Sequence, residues 1–224
     1  MGRLNRLTAT SVGAKMVMAL TGLALFLFVI MHLLGNLTLL SGPEAMNGYA
    51  EFLQSKPALV WTFRAGLLAI LAIHVTFAIR LTLENRRARP QPYAKDGTLK
   101  ATWASQHMLL TGLVVAVFLV YHLLHFTAHV VPTGEVNTLE SGQRDVHGMV
   151  VNAFQHGYVA AIYIIANLLL GLHLIHGSKS LFQTMGWDHP VLRPVVHGIA
   201  PALAVLVATG NIILPLTVLF GWVS

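Results

Sequence analysis

Met16-Val-Met-Ala-Leu-Thr-Gly-Leu-Ala-Leu-Phe-Leu-Phe-Val-Ile-Met-His32-Leu-Leu-Gly-Asn36-Leu-Thr-Leu-Leu40 is an apolar run of 25 residues with a single imidazole in it. About 20 apolar residues carry a helix across the hydrocarbon core of a bilayer, so the run reads as a membrane span. It is too long for the apolar region of a signal peptide, and no A-x-A-like site follows it. Four further runs qualify, giving spans I to V at about Met16–Leu40, Ala58–Thr82, Ser105–Val131, Val151–Gly177 and Val196–Trp222. Turn residues punctuate the connections: Ser41-Gly42-Pro43, Arg89-Pro90-Gln91-Pro92, Pro132-Thr133-Gly134 and Asp188-His189-Pro190. The expected fold is all-α, a single transmembrane domain built as a five-helix bundle over residues 1–224.

Composition agrees. Of 224 residues, 55% are hydrophobic and 10% charged, where a soluble domain carries about a quarter charged residues. The chain has no cysteine, which excludes disulfides, thiolate-ligated iron–sulfur clusters and covalent haem attachment within it. The net charge of +6 says little about nucleic acid, because the basic residues gather in particular connections. Arg3, Arg6 and Lys15 lie before span I, Arg80, Arg86, Arg87, Arg89, Lys95 and Lys100 around the second connection, and Lys179 and Arg193 around the fourth. By the positive-inside rule the N-terminus and these connections face the cytoplasm and the C-terminus faces outward, across the inner (cytoplasmic) membrane of a cell. Trp61, Trp103, Trp187 and Trp222 fall near span ends, where interfacial anchors belong.

The twelve histidines are the feature that needs explaining. His32, His74, His122 and His173 lie one in each of spans I to IV, and an ionisable group inside a membrane is a functional hypothesis by default. His32 is 17 residues past Lys15 and His122 is 16 past Gln106, so both lie roughly 25 Å along their helices. His74 and His173 each lie six residues before a basic residue, Arg80 and Lys179, roughly 9 Å from that same cytoplasmic end. Antiparallel spans thus yield two pairs of imidazoles at two depths. Two imidazoles on either side of a porphyrin are the bis-histidine ligation of b-type haem, and bundles build such sites from facing helices. A histidine satisfied by a neighbouring helix is the plain alternative for any one of them, and four in register argue against it.

A repeat reinforces the pattern. Met18-Ala-Leu-Thr-Gly-Leu23 recurs 90 residues later as Met108-Leu-Leu-Thr-Gly-Leu113, and His32-Leu-Leu34 recurs as His122-Leu-Leu124. Gly22 and Gly112 read as notches for a close approach, by a bulky group such as the inner haem or by a helix. His122, His125 and His129 are spaced to share one helix face, as are His173 and His176; His125, His129 and His176 are expected to support the ligands, hold propionates or contact quinone, with polar packing as the alternative. His107, His147, His156, His189 and His197 lie near span ends and are expected to be solvated. No acidic residue lies inside a span, and there is neither a phosphate loop nor a zinc motif.

Ser11-Val-Gly-Ala-Lys15-Met-Val-Met-Ala-Leu-Thr-Gly22, Met31-His-Leu-Leu-Gly-Asn-Leu37 and Glu44-Ala-Met-Asn47, with Tyr121-His122 and with His173 ahead of Gly177-Ser-Lys, make a pattern spread along nearly the whole chain. It resembles the cytochrome b membrane-anchor subunit of succinate dehydrogenase and fumarate reductase, in the five-helix, dihaem branch. The resemblance implies two haem b groups, with His32 paired to His122 and His74 to His173. It implies flavoprotein and iron–sulfur partner subunits, carrying FAD and the clusters, and a quinone (menaquinone or ubiquinone) as the membrane substrate. The active site for succinate would lie on the partner. Asn36, Glu44 and Asn47 are candidates for an outer quinone site. Ser11, Lys15, Trp103, Gln106 and Lys179 are candidates for haem propionates or an inner quinone site, since cations and hydroxyls suit carboxylates. Other readings are the cytochrome b subunit of a hydrogenase or formate dehydrogenase, a histidine-based metal transporter and a purely structural membrane protein.

Overall fold

The computed structural model describes residues 10–88, 107–131, 137–139 and 142–224. Among the described residues seven α-helices run in the order α1 (Ser11–Asn36), α2 (Pro43–Gln54), α3 (Pro57–Arg87), α4 (Met108–His122), α5 (Val146–Gln155), α6 (Gly157–Thr184) and α7 (Ala200–Leu219). A tight turn, Leu37–Ser41, extends α1; wide π-type turns extend α4 through Leu123–Thr127 and precede α7 at Val195–Ile199. Five of these units are long and apolar enough to cross a membrane: Ser11–Ser41, Pro57–Arg87, Met108–Thr127, Gly157–Thr184 and Val195–Leu219. The chain is therefore an all-α, multi-pass membrane protein. Among the described residues the one non-helical pairing is an isolated bridge between Thr138 and Arg144.

The spans start and stop for local reasons. Thr10 caps α1 by accepting from the Gly13 amide at 3.0 Å, satisfying a donor that the first turn leaves open. Pro57 opens α3, and Arg86 and Arg87 close it where the helix dipole favours cations. That end, with the Arg80–Glu84 ion pair one turn earlier at 2.7 Å, carries the helix past Thr82, where the hydropathy falls. Inside the spans, Thr62, Thr76, Asn167, Asn211 and Thr217 return their side-chain donors to carbonyls of their own helix. This satisfies polar groups where no water can.

Two parts of the sequence reading change. Span IV was expected at Val151–Gly177 and occupies Gly157–Thr184, because His156 takes an extended conformation (φ −79°, ψ 107°) that separates α5 from α6. The short helices α2 and α5 were read as connection or as part of a span. They pack together beyond the ends of α1 and α6. Asn47 ties them, donating to the Asp145 carboxylate and accepting from the His147 amide, each at 3.0 Å, while Asp145 caps α5 through the Gly148 amide at 2.9 Å.

α6 and α7 share the largest interface; α1 packs on α3 and α6, and α4 packs on α6. Small residues set the closest approaches. A Cβ on Gly171 would lie 2.8 Å from Ala208 Cβ, and one on Gly210 would lie 2.7 Å from Leu33 Cδ2. The core gathers Phe26 and Leu33 of α1, Met46 of α2, Phe154 of α5, Tyr163 of α6 and Val207, Leu214 and Val218 of α7. Span II contributes least to this core and keeps most of its apolar surface outward, as lipid or a partner helix requires.

Candidate functional site

The four span histidines fall at two levels, which geometry distinguishes. At the first, His74 of α3 meets α1. Its Nδ1 donates to the Met18 carbonyl at 3.2 Å and lies 3.2 Å from the Thr21 hydroxyl. That hydroxyl gives its own proton to the carbonyls of Val17 and Met18, so toward the imidazole it acts as an acceptor. His173 of α6 meets α4 in the same manner: Nδ1 lies 3.4 Å from the Thr111 hydroxyl, whose proton goes to the His107 and Met108 carbonyls.

The glycines of the repeat explain how close these rings come. A Cβ on Gly22 would stand 3.1 Å from His74 Cε1, and one on Gly112 would stand 3.1 Å from His173 Cε1. The notches read from the sequence thus accommodate the opposing histidine itself. His74 lies 13 residues before the end of α3 and His173 lies 11 before the end of α6.

At the second level the rings of His32 and His122 face each other edge to face, with centroids 5.7 Å apart. Phe28 stacks on His32 at 5.4 Å and Phe118 tilts against His122 at 6.0 Å. His122 Nδ1 lies 3.2 Å from the Tyr163 hydroxyl, and His125 Nδ1 lies 3.0 Å from the same oxygen. Tyr163 was missed in the sequence. Its signal was a phenol in the middle of an apolar span, ten residues before His173, where the hydroxyl needs a partner.

Two readings of histidine are corrected. His129 does not share a face with His122 and His125: the wide turn Leu123–Thr127 ends the helix, and His129 sits beyond it at φ 53° with its Nε2 against Arg144. His147 is buried at 5% exposure rather than solvated, because α5 turns it inward. His156, His189 and His197 are exposed as expected.

At the Lys15 end, a cavity of about 360 Å³ opens between α1, α3 and α6, lined by Lys15, Met18, Leu81, Asn85, Ser180, Gln183 and Thr184. Lys15 was anticipated there. Asn85, Gln183 and Thr184 were not, since they lie beyond the span ends read from hydropathy. Ser11 and Lys179 are off its lining, and Trp103 and Gln106 lie outside the described residues. At the opposite end Asn36 closes α1, Glu44 is exposed in the first turn of α2, and both ends of the Asn47 amide are engaged in joining α2 to α5.

The donor set suits a haem. Among the described residues no three His, Cys, Asp or Glu side chains gather as a bare metal ion would require, whereas a porphyrin supplies four nitrogens and asks for two. An imidazole whose Nδ1–H is held by an oxygen presents its Nε2 lone pair to a metal, and His74, His122 and His173 each have such an oxygen. Comparison of the chain with protein-family models, curated proteins and solved structures finds no match.

Proposed function

We propose that the chain is the dihaem cytochrome b membrane anchor of a succinate:quinone oxidoreductase. In this reading it passes electrons between an iron–sulfur subunit at the Lys15 end and a quinone in the membrane. The observation that carries the proposal is the doubled cradle: Thr21 and Gly22 hold His74 as Thr111 and Gly112 hold His173, while His32 and His122 face each other at the other level. Plain helix packing gives no reason to set four imidazoles in two pairs. The resemblance of the Ser11–Gly22, Met31–Leu37 and Glu44–Asn47 runs to the anchor subunit of succinate dehydrogenase and fumarate reductase supplies the choice of complex.

His32 with His122 and His74 with His173 would hold two haem b groups, which when bound supply one-electron transfer across the membrane. The chain's own residues do the rest. The oxygens of Met18, Thr21, Thr111 and Tyr163 fix which imidazole nitrogen carries the proton. The apolar walls keep water from the rings. Lys15, with Asn85 and Gln183 beside it, offers a cation and amide donors to the propionates. The Lys15 end would face the cytoplasm and the flavoprotein and iron–sulfur subunits, with the membrane being the cell's inner membrane. Electrons crossing from one level to the other would work with or against the membrane potential, at about 2.3 kcal/mol per charge per 100 mV.

The test is a reduced-minus-oxidised spectrum with a pyridine haemochrome assay on the detergent-purified native complex. Two protohaems per chain, reduced by succinate through copurifying flavin and iron–sulfur subunits, are expected. Two haems that succinate does not reduce would move the assignment to a hydrogenase or formate dehydrogenase complex. A complex without haem overturns the proposal.

A further inference from the structure

We propose that Tyr163 and His125 form a positioning pair for the imidazole of His122, fixing its proton, its orientation and its electron richness. The inference rests on the reading of His122 as a haem ligand, and adds to it a pair of residues that touch no iron.

The chemistry turns on one atom. Tyr163 is 6% exposed and His125 is 0% exposed. The phenol ring is packed by Phe118 and Phe154 at 5.0 Å and by Phe126 at 5.6 Å. Filling that space needs only a phenylalanine, as its three neighbours show, and burying an unmet hydroxyl costs about 1–3 kcal/mol. Yet two imidazole nitrogens from two positions of span III converge on this oxygen. The hydroxyl has a single proton. With His122 using Nε2 toward a metal, its Nδ1–H donates to the Tyr163 oxygen, and the phenol O–H donates in turn to His125 Nδ1. The chain of bonds has one direction, set by the ligand at its head.

The repeat singles out His125. At the 90-residue offset, Gly35 of span I stands where span III has His125. The space beside Gly35 is taken by the Tyr49 ring, whose Cε1 would lie 2.7 Å from an added Cβ. The two half-repeats therefore agree through Thr-Gly and the ligand histidine and part at the next turn. There span III also widens, the Ala128 amide reaching back five residues to the Leu123 carbonyl at 2.7 Å. Such single wide turns cluster at functional sites.

An oxygen accepting from the distal nitrogen of a ligand imidazole makes that ligand more basic and holds its plane. A more basic ligand favours ferric iron. Replacing Tyr163→Phe keeps the packing and removes the acceptor. In the native complex, a redox titration with low-temperature EPR should show both haems retained. The potential of the haem that His122→Ala abolishes should rise, so that its ferrous-to-ferric ratio at the wild-type midpoint increases, and its ferric signal should be displaced. The other haem should be unchanged. His125→Gln, which keeps a buried hydrogen-bonding group behind the phenol, should give a smaller shift in the same direction. Tyr163→Phe with both potentials and both ferric signals unchanged overturns the pair while leaving the haem reading intact, and so does an equal displacement of both haems. A wild-type complex that contains no protohaem overturns the functional reading itself, and the pair with it.

Discussion

His74 and His173 are held alike, and His32 and His122 are not. At the Thr-Gly level each imidazole sits in a glycine notch and leans on a threonine hydroxyl 3.2–3.4 Å away. At the other level His122 has Tyr163 behind it, with His125 beyond, and His32 has stacked Phe28. The difference shows where the internal repeat is constrained. Two antiparallel hairpins can supply the same close approach twice with Thr and Gly, since these small residues let the neighbouring helix in. Farther along, α1 runs into α2 while α4 ends in a wide turn, so the surroundings diverge and the residues diverge with them.

On the proposed reading, replacing one of the four span histidines should have the largest effect. His122→Ala is expected to take haem content from two per chain to one by pyridine haemochrome, and His173→Ala to remove the other one. If His125→Ala and not His122→Ala abolished a haem, the assignment of ligand and support would be reversed. Next come the notches. Gly22→Val and Gly112→Val would drive a side chain into the ring that already stands 3.1 Å from an added Cβ. Overpacking of this kind costs about 1–3 kcal/mol. Both should lower the thermal stability of the complex and disturb the spectrum of the Thr-Gly-level haem alone. A gentler change is Thr21→Val or Thr111→Val, which keeps the branched side chain and removes the hydroxyl, with its bond to the imidazole, worth about 1 kcal/mol, and its donation to the backbone carbonyls. Matched shifts of one haem band in the two variants would confirm that the halves are equivalent; unequal shifts would show that the Met18 carbonyl carries His74 by itself. Lys179→Ala should be the mildest, leaving haem content at two, because Lys179 lies off the cavity lining.

Much of this architecture is written in hydropathy. Apolar length alone places the five spans, and the lone histidine of each of the first two stands out against its background. The 90-residue repeat makes the pairing of His32 with His122 visible without coordinates, and the structure sets those two rings side by side. Hydropathy fails where a helix continues through polar residues or a break is apolar. Asn85 and Gln183 extend their helices beyond the expected ends, so the cavity they line was hidden. Val150-Val-Asn-Ala-Phe154 blends into the next span although His156 interrupts it, and Gln155-His156-Gly157 was the available signal. The face shared by His122, His125 and His129 assumed a regular helix, and the wide turn at Leu123–Thr127 removes His129 from it. Tyr163 escaped because one aromatic among apolar residues is unremarked unless its hydroxyl is asked where it bonds.

The Thr-Gly cradles have a consequence for how the molecule is put together. His74 is fixed by span I and His173 by span III, so each imidazole is oriented within its own helical hairpin, by residues fewer than 65 positions away. The hydrogen-bond partners given to each histidine lie in its own hairpin. On the proposed reading each half is finished separately, and the prosthetic group arrives last, as the rivet that joins two pieces already drilled.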